Sequence, residues 1–370
     1  MGDIKSDLGE LMNQTLRNML LLFPVGKQAY LAYDSLTRAN ADALGYTERK
    51  GPLGLARLRL PWVAIGGDLD IVGGAVTGGT AQTTIVSNGN METDDPPIGW
   101  AIENNAVPDG VADERTGGAG VQSIDLAMGV GKTQARGRQS IGGLTGGTLM
   151  VLRGWLRNVD GDDVQMNVLD SAYGPILTTA AVAGVAWTEQ FHVFTLRDAS
   201  ARIGLIANST LGDGTSGRFD DISLLECHSE YIDPGEADVV YRANVTTPAA
   251  GMDPAGLILR RDGATQWIVQ MTPGTAGTDF ELIELNDGTP TQRASADRDF
   301  AINTTYRIAV ALTGQSIIVY QDGVQRLAYA IAAVGLTNTQ FGIWDSANAN
   351  FSFDNVEITQ YARYNHAGGY

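Results

Sequence analysis

The heptapeptide Arg218-Phe219-Asp220-Asp221-Ile222-Ser223-Leu224 returns, little changed, as Ser352-Phe353-Asp354-Asn355-Val356-Glu357-Ile358. Both read Phe-Asp-[Asp/Asn]-[Ile/Val]-x-[Leu/Ile], an apolar pattern that puts alternate side chains on one face of a strand. Each copy is expected to close a β-sandwich, so the echo divides the chain from Ile85 to Tyr361 in two. Four Asp-Gly pairs lie in this region between short runs rich in β-branched and aromatic residues: Asp160-Gly161, Asp262-Gly263, Asp287-Gly288 and Asp322-Gly323. A type I′ hairpin needs positive φ at both central residues, and Asp-Gly supplies this at low cost. Antiparallel hairpins are predicted at all four.

The first 60 residues read differently. Ile4, Leu8, Leu11, Met12, Leu16, Met19, Leu20 and Phe23 recur at three- and four-residue steps, predicting an amphipathic helix that Pro24 ends. A second helical stretch is predicted through Gln28–Leu44. This segment holds eight Lys/Arg against six Asp/Glu, whereas the whole chain of 370 residues has 25 against 42 and a net charge of −17. The stripe Leu8, Leu11, Met12, Leu16, Met19 and Leu20 has few partners within its own segment and is expected to anchor the chain on another protein or on copies of itself. The fold class expected is mainly β: two tandem antiparallel β-sandwich (jelly-roll) domains behind a short α-helical N-terminal segment. In residues, 1–60 form a helical anchor and 61–82 a Gly-rich linker or edge strand. The first sandwich spans 83–227, a linker 228–235, the second sandwich 236–361 and a tail 362–370.

Several classes of function are excluded. A pI near 4.5 with no Lys/Arg-rich block argues against nucleic-acid binding. One cysteine, Cys227, and three dispersed histidines, His192, His228 and His366, give neither a disulfide framework nor zinc-ligand spacing. The apolar run Met19–Phe23 is far too short to insert in a membrane. The N-terminus has no basic start followed by a small-residue cleavage site, so no signal peptide is expected. Gly129-Val130-Gly131-Lys132-Thr133 lacks the earlier glycine of a phosphate loop.

Three motifs carry a family resemblance. The first half opens Val86-Ser87-Asn88-Gly89-Asn90-Met91-Glu92, continues Pro97-Ile98-Gly99-Trp100 and closes Phe219-Asp220-Asp221-Ile222-Ser223-Leu224. It resembles the galactose-binding-like jelly roll of carbohydrate-binding module families four and nine. That resemblance implies a structural calcium ion held by Glu92 and Asp221, with Asn88 as a carbonyl ligand. The second half, with Gly256-Leu257-Ile258-Leu259-Arg260 and Ile318-Val319-Tyr320-Gln321-Asp322-Gly323, resembles a concanavalin-like or laminin-G-like jelly roll. Tandem jelly rolls behind a helical head resemble a virion protein of a tailed bacteriophage: a capsid decoration, fibre or tail-associated component. Its implied partners are other virion proteins through the N-terminal segment, further copies of itself, and host-surface glycans. Its implied place is the particle, after synthesis in the host cytoplasm. The alternative is a secreted or surface protein that binds or hydrolyses glycans.

Chemistry is sparse. Trp100, Trp155, Trp187, Trp267 and Trp344 offer stacking faces for sugar rings, or fill sandwich cores. Asp279, Glu281 and Glu284 invite comparison with the paired carboxylates of glycosidases. In a regular strand Asp279 and Glu281 share a face and Glu284 takes the other, so no catalytic residue is assigned and no turnover is expected.

Overall fold

The computed structural model describes residues 30–34, 36, 60–64, 69–72, 75–78, 84–91, 98–103, 107–112, 122–129, 131–160, 162–209, 216–249, 253–273, 279–332, 337–346 and 351–361. The predicted helix over 4–23 and its apolar stripe lie outside these residues. In chain order the first strands are β1 (Tyr30–Asp34), β2 (Val63–Ala64), β3 (Leu69–Val72) and β4 (Ala75–Gly78). The first sandwich follows with β5 (Ala101–Glu103), β6 (Val107–Ala112), β7 (Gln122–Ala127), β8 (Gln134–Gly142), β9 (Leu149–Asn158), β10 (Asp163–Leu169), β11 (Pro175–Thr178), β12 (Thr188–Thr195), β13 (Ser200–Asn208) and β14 (Ser216–Glu226). Then come β15 (His228–Ile232), β16 (Val239–Thr246), β17 (Ala255–Asp262), β18 (Thr265–Met271), β19 (Phe280–Asn286), β20 (Thr289–Ala296), β21 (Thr305–Thr313), β22 (Ser316–Gln321), β23 (Val324–Ala330), β24 (Gln340–Asp345) and β25 (Ser352–Gln360).

In the first sandwich the sheet β11-β10-β13-β8-β5 faces the sheet β12-β9-β14-β7-β6. Period-two alternation sends Val164, Met166 and Val168 of β10, and Ala201, Ile203, Leu205 and Ala207 of β13, into the core between them. The second sandwich sets β23-β22-β21-β16-β25-β4-β3, with β1 also on β25, against β2-β15-β24-β17-β18-β19-β20. The strands that precede the first sandwich thus belong to the second one, and the first is an excursion between β4 and β15. Residues 61–82, expected as a linker or edge strand, carry β2, β3 and β4, and residues 228–235, expected as a linker, carry β15. The predicted helix over 28–44 is replaced at Tyr30–Asp34 by β1, which pairs with β25. Ala32 and Asp34 are buried there, because a neighbouring strand supplies backbone partners that local helical spacing cannot reveal.

The echoed heptapeptides are matched β-bulges. Asp221 and Asn355 occupy the same place in the echo and both lie in the left-handed region, with φ of 47° and 49°. The register shifts at each, so the core residues run Phe219, Ile222, Leu224 and Phe353, Val356, Ile358. At the first bulge, Ile222 N donates to Gly89 O at 2.8 Å. A Cβ on Gly89 would lie 1.9 Å from Ile222 O, which explains the glycine. At the second, β1 pairs Asp34 with Val356, and the buried Asp34 carboxylate accepts from Leu36 N and from Trp62 Nε1, each at 3.0 Å.

Three of the four Asp-Gly pairs lie in antiparallel hairpins, two of them with the turn as expected. Asp287-Gly288 and Asp322-Gly323 are two-residue hairpin turns with both φ positive. At Asp262 the turn sits one residue on: Asp262 pairs with Thr265, and Gly263 alone has positive φ, the pattern of a type II′ turn. Asp160-Gly161 joins no hairpin. It links β9 to β10, which lie in opposite sheets, and Asp160 Oδ1 accepts from Ser216 N at 2.7 Å to hold the crossing.

The sandwiches dock through an apolar seam. Leu149, Val151 and Val193 of the first meet Ile258, Ile268, Ile283, Leu285 and Trp344 of the second, with Cys227 between. The Asp287-Gly288 turn seals one end, where Gly288 O accepts from Thr195 N at 3.2 Å and Arg197 Nε donates to Asp287 O at 2.6 Å. The Arg153–Asp253 ion pair, at 3.3 Å, also spans the junction.

Candidate functional site

With one face of β12-β9-β14-β7-β6 against the second sandwich, the outer face of β11-β10-β13-β8-β5 carries a polar surface. Its side chains form rows across the strands. Glu103, Arg136, Ile206 and Gln165 align in one row, and Ala101, Arg138, Gly204 and Asn167 in the next. Ser140, Arg202 and Leu169 form the third. Gly204 leaves a dip in the middle: a Cβ there would lie 2.2 Å from Asn167 Oδ1.

Tyr173 stands at the end of this face, 59% exposed, with the Arg202 guanidinium 3.6 Å above its ring and that of Arg138 at 5.8 Å. Its φ of 66° is held by a tightly bonded loop. Asp170 Oδ1 accepts from Ala172 N at 2.9 Å and Gly174 N at 2.7 Å, while its Oδ2 pairs with Arg197 at 3.1 Å. Arg202 Nη1 donates to Ser171 O at 2.9 Å, and Ser171 Oγ donates to Asp198. Hydrogen bonds from Ser171, first in effect, and from Ser200 hold the Asp198 carboxyl below the usual range, so it stays an acceptor. A second chain of bonds orders the opposite end: Arg136 Nε donates to Gln134, Gln134 Nε2 to Asn208 Oδ1 at 2.7 Å, and Asn208 Nδ2 to Asp163 Oδ1 at 2.7 Å. Arg138 pairs with Glu103 at 3.1 Å. The face is a pre-ordered platform of one exposed ring, planar amides and guanidinium forks, the side-chain set that recognises polar ligands with a flat apolar side.

None of the five tryptophans expected to stack on sugars lies on it. Trp100, Trp267 and Trp344 are buried in cores or in the seam, where no sugar ring can reach them; this corrects the expectation for those three. Trp155 and Trp187 are half-buried, and Trp155 lies on the other sheet, between Glu189 and Asp220. The Tyr173 face went unread because Gln134, Arg136 and Arg138 alternate with Ala135 and Gly137 as any solvated strand would.

Of the expected calcium ligands, Asn88 and Asp221 are brought to the same clasp, and Glu92 lies outside the described residues. The Asn88 backbone carbonyl accepts from Met91 N at 3.2 Å and Trp100 Nε1 at 3.4 Å, and its side-chain amide donates to Ile98 O at 3.1 Å.

Asp279 and Glu281 alternate with the core residues Phe280 and Leu282, and Glu284 points to the opposite face, bonded to Arg293 Nε at 2.6 Å. Glu281 accepts from Gln270 at 2.9 Å and Gln292 at 2.8 Å. Burial, and then the charge of Asp279, push its carboxyl up to about 7. A raised carboxyl favours the folded state most below its unfolded value near 4.5, and that contribution is lost as pH rises to about 7. Glu281→Gln is therefore expected to leave thermal stability at pH 4 nearly unchanged and to raise it at pH 8. Melting curves of both proteins at the two pH values check this, and equal midpoints at pH 8 would sink it.

No protein-family model matches the sequence, and no curated protein does. Solved structures do resemble it. A carbohydrate-binding module, CBM66, from Bacillus subtilis is 16% identical over 36% of this chain and 86% of its own, with a TM-score of 0.32. The CBM22-1–CBM22-2 tandem of Paenibacillus barcinonensis Xyn10C is 11% identical over 81% of this chain and 99% of its own, at 0.32. The enzymatically active domain of tailspike protein 4 from bacteriophage CBA120 is 14% identical over 39% of this chain and 21% of its own, at 0.33.

Proposed function

We propose that the chain is a non-catalytic glycan-binding protein whose binding surface is the outer face of β11-β10-β13-β8-β5. The observation that supports this most is Tyr173, left 59% exposed on a loop that Asp170, Arg197 and Asp198 hold rigid. Rigid aromatic faces bind sugars because little ordering entropy is lost on contact. Full-length protein on a glycan array is expected to retain specific sugars, and Tyr173→Ala to lose them with its melting midpoint intact. An array blank for the parent protein, or equal retention by the variant, would remove the reading. No sugar should be released from any retained glycan.

We further propose that this face is carried on a tailed-phage particle, with the stripe Leu8, Leu11, Met12, Leu16, Met19 and Leu20 as its anchor. Supporting this is the apolar spacing of the stripe. Removing residues 1–29 is expected to abolish co-sedimentation with particles while the chain stays folded; particles that still carry the shortened chain would refute the anchor. A calcium tie is proposed through Glu92 and Asp221, with Asn88 as a carbonyl ligand, on the resemblance their motifs carry and on the closure of Gly89 against Ile222, since carboxylate and carbonyl oxygens suit a hard cation. Chelation should then lower the midpoint of full-length protein and added calcium restore it. Superimposable curves with and without chelator would eliminate the ion.

A further inference from the structure

We infer that the ligand of the Tyr173 face is an acidic polysaccharide whose sugars carry carboxylates, an inference that rests on glycan binding at this face. The chain is acidic overall, at −17, yet this face gathers arginines. Arg136 and Arg138 lie two residues apart on one side of β8, about 7 Å along the strand. Arg202 stands diagonally across on β13, since Gly204 pairs with Arg138 and Ser140 with Arg202.

The acids on the same face neutralise Arg138 but, among the described residues, form no ion pair with Arg136 or Arg202. Glu103 is engaged by Arg138 and Asp163 by Asn208. Arg136 is bonded to the neutral Gln134, and Arg202 to two backbone carbonyls and the Tyr173 ring. Among the described residues neither makes an ion pair with a carboxylate. Half-buried guanidinium groups so arranged repel one another, and a flat carboxylate relieves that repulsion by accepting two parallel N–H bonds from a fork. A neutral sugar would leave those forks to hydroxyls, which bind them less strongly. Tyr173, with Arg202 on one side of its ring, meets the apolar side of a sugar while Arg136 meets an acid group further along the chain. The regular row spacing suits a repeating polymer better than a single sugar.

Isothermal titration of full-length protein with polygalacturonate, and with the same polymer fully methyl-esterified, tests this. The acidic form is expected to bind at least about tenfold more tightly, the worth of one charge-assisted hydrogen bond, and to weaken as salt is raised. Arg136→Gln and Arg202→Gln should each lower its affinity about tenfold and leave the esterified form little changed. Arg136 lies away from the Tyr173 loop, so its variant stays informative if Arg202→Gln disturbs that loop. Equal affinity for the two forms, or arginine variants that bind polygalacturonate as the parent does, would overturn the acidic preference and leave glycan binding standing. Equally tight binding of dextran sulfate or DNA would overturn it too, by showing attraction to any polyanion. Failure to bind either polygalacturonate form, with a blank glycan array, would overturn both.

Discussion

A chain begun at residue 83 is expected to keep its first sandwich and lose its second. That start removes β1 to β4, and with them Ala32, Leu36, Trp62 and Leu69 from the core of the second sandwich. Full burial of one large apolar side chain contributes about 1.5–3 kcal/mol, so the three largest supply upward of about 5 kcal/mol before any cavity cost. The net stability of a domain is only about 5–15 kcal/mol. The cut also strips one edge of β25, which pairs with β1 and β4 there, and leaves it open to aggregation. Amide hydrogen exchange should show β16 to β25 unprotected and β7 to β14 protected, whereas a chain begun at residue 30 should protect both. Full protection in the chain begun at 83 would show that the second sandwich closes without its early strands.

Gly256→Ala is expected to be among the most damaging single changes. Gly256 lies in β17 between Gln270 and Trp344, and a Cβ there would sit 1.8 Å from Val269 O. The obstacle is backbone inside a paired sheet, so β17 must part from β18 or lose its register. Overpacking of this kind costs about 3 kcal/mol or more, a fall in midpoint of roughly 6–12 °C for a domain of this size. Gly154→Ala is the control. Its Cβ would meet Ile222 Cδ1 at 2.5 Å and Met166 Sδ at 2.9 Å, both ends of side chains that can turn away. Thermal melts should rank Gly256→Ala well below Gly154→Ala, and the reverse order would mean the sheet yields more readily than the core.

What could be read in the sequence was whatever a few adjacent residues decide. The turns at Asp287-Gly288 and Asp322-Gly323 need only their own φ angles, and both are found where Asp-Gly places them. The echo marked two closing strands, and its three-then-two spacing of Phe219, Ile222 and Leu224 already contained the bulge. Tyr30–Asp34 could not be read: five residues of mixed polarity fit a helix or a strand, and the choice falls to β25. Asp160-Gly161 has the residue types of a hairpin turn, but which strands a turn joins is settled by distant pairing. Tryptophan burial is equally non-local, so core and binding surface remained open for all five until the sheets were assembled. On the candidate site, Arg136 and Arg138 were legible as a polar strand face, but Arg202 and Tyr173 come from elsewhere in the chain.

The pairing of Tyr30 with Thr359 sets an order on synthesis. On a ribosome adding about 5–20 residues each second, β1 emerges some 15–60 s before the strand that receives it. The first sandwich, complete once Glu226 has cleared the exit tunnel, can fold in that interval while Trp62 and Leu69 stay in water. Through that interval the early strands present unpaired edges to any neighbouring nascent chain. On a polysome two chains could exchange β1, each closing the other's second sandwich, and the product would be an interlocked dimer with every native contact present.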